Sequence, residues 1–177
     1  YNFDKYRDEE KIQGKLNLVQ NNGITAEVGF VVNHKNLDKA ARQSRSLVAK
    51  SSGNDRILME SKKIKLVYGF EEASKKDYLH QRASGLNHTL CELARKNNIA
   101  VGFSYSSLLG KSNAETSLLI GRMMQNISLC KKYKVKTAIG CFSEKLLTLR
   151  APHDIASLFT AFGMDGKAIK DSIQFDF

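Results

Sequence analysis

Three groups of residues in this chain have the chemistry to act on a ligand: a Gly-Lys-Ser triplet, scattered histidines beside acids, and an excess of lysine and arginine. Leu109-Gly110-Lys111-Ser112 follows a strand-like run and precedes a helix-like one, where a phosphate-binding loop would sit. Such a loop needs another glycine five residues before Gly110, so that backbone N–H groups can curl around phosphate, and that place holds Tyr105. The triplet therefore reads as a solvated loop. A metal centre would need His, Asp and Glu converging at strand ends. His80 ends a short strand candidate and His153 stands beside Asp154, but neither has a second ligand at short spacing. A stand-alone metal-dependent phosphoesterase would have to use these three; a hydrogen-bonded structural histidine or a phosphate contact is the plainer reading. Cys91, Cys130 and Cys141 are odd in number and far apart, and their neighbours (Leu90, Leu129, Gly140, Phe142) predict buried, reduced thiols rather than a zinc ribbon or a disulfide.

The cations are the stronger signal. Of 177 residues, 28 are Lys or Arg and 18 Asp or Glu, a formal net charge of +10. Such an excess repels itself in a folded chain and points to a polyanionic partner. A membrane is the weakest candidate, because no run of about 18 apolar residues exists to span one and no charged-then-apolar leader opens the chain. The basic residues gather at Lys39, Arg42, Arg45 and Lys50; at Lys62, Lys63 and Lys65; at Lys75, Lys76 and Arg82; and at Lys131, Lys132, Lys134 and Lys136. Any one cluster is explained by solubility or by a helix C-terminus, where cations are favoured. Together, without acids interleaved at equal density, they predict a salt-dependent grip on phosphates. No aromatic RNA-recognition motif or helix-turn-helix pattern accompanies them, so the expected readout is of backbone and shape.

The elements that must hold these residues alternate in period. Helices are expected over Glu9–Asn21, from an Asn36 cap to about Lys50, over Leu86–Asn97, over Glu115–Tyr133 with Ile120, Met123, Met124 and Ile127 inward, from Pro152 to Phe162, and over Asp165–Ile173. Strands are expected at Ala26–Val32, Arg56–Met59, Ile64–Gly69, Ile99–Tyr105 and Val135–Phe142, with a weaker candidate at Asp77–His80. The segment Ser51–Asp55 reads as a loop. Hydrophobic residues at 42% and charged ones at 26% suit a folded chain. One proline, no repeat and no low-complexity linker predict a single domain over residues 1–177, and alternating strands and helices predict a parallel α/β sheet.

From about Lys65 onward the sequence resembles ribonuclease P protein component 3. Leu66-Val67-Tyr68-Gly69 is similar to a strand of that family, and Arg82-Ala83-Ser84-Gly85-Leu86-Asn87-His88-Thr89-Leu90 to its Arg-x-Ser-Gly-Ile-Asp-His-Val-Leu signature. Ile99–Ser104, Arg122, Asn126, Lys132–Val135, Arg150–Asp154 and Phe162–Met164 continue the resemblance in order, over roughly two-thirds of the chain. It departs at Asn87, where the family carries Asp, and at Gly140-Cys141-Phe142-Ser143, which replaces a hydroxyl-rich strand end.

The resemblance implies a TIM-like barrel, shaped like the PHP phosphoesterases but lacking their metal ligands, with the first strand missing or confined to Tyr1–Phe3. It implies a cytoplasmic protein, non-catalytic itself, that helps ribonuclease P remove 5′ leaders from precursor tRNA. Catalytic magnesium would sit on the RNA subunit and no cofactor on this chain. Partners implied are the ribonuclease P RNA, precursor tRNA, the Pop-type protein subunit and other small ribonuclease P proteins. The residues expected to meet RNA are Lys75, Lys76, Arg82, His88, Arg122, Lys131, Lys132 and Arg150. Arg82 and Arg150 both precede helices that follow strands, hence one end of the sheet, where either could bind phosphate or one could instead pair with Asp154.

Overall fold

In the computed structural model, which describes residues 30–42, 46–74, 76–142 and 148–175, five strands run parallel in the order in which they occur in the chain. They are β1 (Phe30–Val32), β2 (Leu47–Lys50), β3 (Leu66–Tyr68), β4 (Ala100–Ser104) and β5 (Thr137–Gly140). The described helices are α1 (Leu37–Ala41), α2 (Asp55–Glu60), α3 (His88–Lys96), α4 (Asn113–Tyr133), α5 (Pro152–Ala161) and α6 (Gly166–Ile173). Short 3-10 turns follow β3 at Phe70–Glu72 and β4 at Ser106–Leu108.

A strand order without reversal is what one wall of a barrel requires; a doubly wound sheet would reverse at a switch point. Among the described residues the sheet stays open, with β1 and β5 as its edges. The helix expected over Glu9–Asn21, the Tyr1–Phe3 segment and the start of the Ala26–Val32 strand lie outside the described residues.

Alternation along each strand divides the apolar side chains between two faces. Val32, Leu47, Ala49, Val67, Val101, Phe103 and Ile139 join the main core with helix residues such as Leu58, Ala94, Met123 and Phe159. The other face is lined by the aliphatic residues Val48, Leu66, Ala100 and Ala138, packed by Tyr68, Phe142 and Phe175. The Tyr68 and Phe142 rings stack at 4.9 Å across this inner face. All five residues of β4 are buried, as befits a strand covered on both faces.

Three expectations change. The helix read from Asn36 to Lys50 is only α1; Val48 and its neighbours form β2 instead. The strand read at Arg56–Met59 is α2, entered through Asp55, whose carboxylate accepts from Ser51 Oγ at 2.8 Å and Ser52 N at 3.1 Å. Arg-Ile-Leu-Met has no turn residue to break it, and an apolar run this short fits either period. The weak strand at Asp77–His80 is a turn, closed by Tyr78 N donating to Gln81 O at 2.9 Å.

Candidate nucleic-acid interface

The long helix α4 organises the site. Ser112 caps it, accepting from Glu115 N at 3.3 Å while Glu115 Oε2 accepts from Ser112 N at 3.0 Å, so the Gly-Lys-Ser triplet serves a capping box. The Ser112 hydrogen bonds also hold the Glu115 carboxyl below its usual range. The buried stripe of α4 is Leu119, Arg122, Met123, Asn126, Ile127 and Cys130. Met124, expected inward, is 44% exposed. The inner face is thus rotated from the expected one, because two of its members are polar and were not counted as core.

Among the described residues Arg122 is the largest wholly buried side chain. Its Nε donates to Asp77 Oδ1 at 2.7 Å, and Nη1 donates to Glu71 O at 2.9 Å and Ser74 O at 2.6 Å. One guanidinium therefore ties the β3–α3 connection to α4 at three points. Four residues on, Asn126 Nδ2 donates to Ser84 O at 2.9 Å. Burial pushes the Asp77 carboxyl up, but the Ala83 amide (2.8 Å) and the Arg122 guanidinium outweigh this and hold it below the usual carboxylate value. Arg82, also close enough to act on Asp77, lies with its guanidinium against Gly121: a Cβ built there would stand 2.0 Å from Nη1 and 2.7 Å from Cζ. A mid-helix glycine costs about 1 kcal/mol relative to alanine, and here it leaves the seat that Arg82 occupies.

The expected contacts divide accordingly. Arg122 is corrected: a guanidinium that is fully buried and holds three partners presents nothing to a phosphate. Lys76, Arg82 and His88 are exposed around the β3–α3 connection, and Lys75 lies outside the described residues. Lys131 and Lys132 are exposed at the far end of α4, about 15 Å from Gly121 by helical rise. There Lys131 Nζ stands 3.5 Å from Asp165 and Lys132 Nζ 5.6 Å from the Tyr133 ring centroid. Exposed Arg150 follows β5, its guanidinium 5.7 Å from the Tyr105 ring and its amide donating to Cys141 Sγ at 3.2 Å. Arg82 and Arg150 both lie in βα connections, but Arg82 rests on an outer helix. Among the described residues no group of three or more His, Cys, Asp and Glu side chains is placed to hold a metal, so nothing gathers His80, His153 and Asp154 into a centre. Cys91 and Cys130 are buried, and burial pushes both thiols up, Cys91 to about 11. Cys141, expected buried, is only half-buried.

The family model for RNase P subunit p30 matches residues 9–175. The chain belongs to the RNase P subunit p30 family. It is 33% identical over 91 residues to ribonuclease P protein component 3 of Thermococcus kodakarensis, a stretch covering 51% of this chain and 41% of that protein. With the Methanococcus maripaludis (strain C5) protein of the same name it shares 26% over 162 residues, 87% of this chain and 67% of the relative. The matched stretches thus span about two-fifths to two-thirds of those relatives' length. In structure it resembles a chain of archaeal ribonuclease P, solved by cryo-EM with mature tRNA, at a TM-score of 0.70 and 18% identity, covering 96% of this chain and 72% of that one. This likeness shows a shared fold.

The p30 signature segment now has a physical reading. Ser84, Leu86 and Leu90 are buried, while Arg82 and His88 face outward. Asn87 Oδ1 accepts from Leu90 N at 2.9 Å and caps α3, a role that asparagine and aspartate fill about equally well. The sequence reading missed Asp77, Gly121 and the exposed pair Tyr78 and Leu79. Only Gly121 carried a signal, as a glycine inside a strongly helical run.

Glu71 supplies a pH test. It is wholly buried, neither carboxylate oxygen has a hydrogen bond from another residue, and burial pushes its carboxyl up to about 7. A carboxyl that is neutral in the fold and ionised in the unfolded chain gives stability present below about 4.5 and lost as pH rises towards 7. Stability of the chain should therefore fall between those values relative to Glu71→Gln, which cannot ionise. Parallel urea-unfolding curves for the two proteins at pH 5 and pH 8 check this; an identical pH dependence would exclude it.

Proposed function

We propose that this chain is an RNA-binding subunit of ribonuclease P, without chemistry of its own, supporting 5′-leader removal from precursor tRNA. The observation that carries the reading is the p30 signature segment, which buries its apolar residues and turns Arg82 and His88 outward beside Lys76. In this reading the exposed cations screen phosphate repulsion in the ribonuclease P RNA, and magnesium and the bond-breaking step belong to that RNA. A protein subunit of the Pop type, other small ribonuclease P proteins and the precursor tRNA complete the assembly, in the cytoplasm. The fold shared with a chain of archaeal ribonuclease P supports this reading. No described helix is long and apolar enough to cross a membrane.

Reconstitution tests it. Adding the chain to ribonuclease P RNA and the other protein subunits should raise the rate of precursor-tRNA cleavage at limiting magnesium, and the chain alone should cleave nothing. Its RNA affinity should fall roughly tenfold or more between 50 and 200 mM salt, as a few phosphate contacts require. A rate unchanged by the chain would overturn the proposal, and metal-dependent cleavage by the purified chain would replace it with the phosphoesterase reading.

A further inference from the structure

The β3–α3 connection ends in a turn that is firmly rooted and bare at its tip. Asp77 Oδ1 receives the Ala83 amide and Arg122 Nε, and the Tyr78 amide closes onto Gln81 O, so residues 77–83 form a ring pinned to α4. At the top of this ring Tyr78 is 73% exposed and Leu79 91%. An ordered turn holding two large apolar side chains in water forgoes the stabilisation their burial would bring. Lys76 and Arg82 flank the pair in sequence, both exposed. The carboxylate within the ring, Asp77, is compensated by the buried Arg122. The tip is therefore an aromatic face in a cationic setting, which disfavours a basic partner and suits a polyanion.

Folded RNA offers two ligands to such a tip. A duplex presents phosphates and sugars but no base face, and would leave Tyr78 in water. An unpaired nucleotide presents both a base to stack and phosphates on either side, and stacking of this kind tolerates any base. We infer that the Tyr78-Leu79 tip receives an unpaired nucleotide of RNA: Tyr78 stacks on the base, Leu79 packs beside it, and Lys76 and Arg82 meet the flanking phosphates. This rests on the proposed RNA-binding role and adds to it a preference for loops and bulges over paired helix.

The sequence contains no tryptophan, so Tyr78→Trp places a fluorophore at the tip without competing signal. Titrated with an RNA hairpin bearing an unpaired loop, its emission should fall by at least half; a blunt, fully paired duplex of the same length should change it little. Tyr78→Phe should bind the hairpin as the parent chain does, and Tyr78→Leu about tenfold more weakly, since it keeps apolar area but loses the ring face. Hairpin binding with unchanged emission would sink the tip inference alone. Emission that shifts only when the other ribonuclease P proteins are added would reassign the tip to a protein contact. Failure of the parent chain to bind either RNA would bring down the RNA-binding reading and the tip with it.

Discussion

Replacing Arg122 by methionine is expected to destabilise the chain by about 3 kcal/mol, the lower end of the range for breaking a buried ion pair. The lower end applies because Asp77 keeps a side-chain exposure of 27%, whereas Arg122 has none. Methionine fills much of the volume, so the loss comes from Asp77 and from the Glu71 and Ser74 carbonyls, which lose their donors together. Arg122→Lys should recover only part, since a single ammonium has no fork to span three acceptors on different residues. Asp77→Asn should also destabilise, because it leaves the guanidinium buried without its counter-charge. The two single losses should exceed the loss in the double variant, because both break one interaction. Urea denaturation midpoints measure all of this. The same variants separate a structural from a binding role. Each phosphate contact steepens the dependence of RNA affinity on salt, and a buried arginine makes none. Arg122→Met should therefore leave the salt slope unchanged at temperatures where it stays folded. A shallower slope, or a stability loss under 1 kcal/mol, would return Arg122 to the RNA-contacting set.

Arg122 also shows where sequence reading stops. Its place three residues after Leu119 and four before Asn126 puts it on a helical stripe that ends in Cys130, so the spacing for burial was present. An arginine is almost never fully buried unless paired, and its partner Asp77 lies 45 residues away in the chain. Nothing local announces such a pair. The longest helix was legible from its apolar period and the segment after Pro152 from proline in the first turn, whereas the capping box at Ser112 was hidden in what read as a solvated loop. Of the parallel strands, β1, β3, β4 and β5 were legible as apolar runs between helices. What failed was short. The four residues of β2 read as part of the helix before them and the six of α2 as a strand, because runs this short fit either period. Tyr78-Leu79 failed for a different reason, because an aromatic beside an aliphatic reads as strand and only the tertiary fold reveals that both face water.

Two glycines near Arg82 should respond to the same substitution in opposite ways. Gly85 has φ +77°, and a Cβ on it would stand 2.2 Å from Phe70 O and 2.9 Å from Phe70 C. Both obstacles are backbone, and Phe70 is itself wholly buried, so neither can swing aside. Left-handed geometry alone costs an alanine about 1 kcal/mol, and the forced shift brings the expected loss to roughly 3 kcal/mol or more. The displaced segment carries Ser84, whose carbonyl accepts from Asn126, so the damage should reach α4. Gly121 has helical geometry, and its Cβ would meet only the far end of the Arg82 side chain. Gly121→Ala should therefore keep or raise the unfolding midpoint, by up to about 1 kcal/mol of helix propensity, while pushing the Arg82 guanidinium off its seat. If that seat presets Arg82 for phosphate, RNA affinity falls roughly tenfold although the fold is no weaker. Arg82→Ala should lose a similar amount, and adding Gly121→Ala to it should cost nothing further, because the seat matters only while the arginine uses it. Additive losses in that cycle would mean that Gly121 serves α4 packing alone and that Arg82 finds RNA without its help.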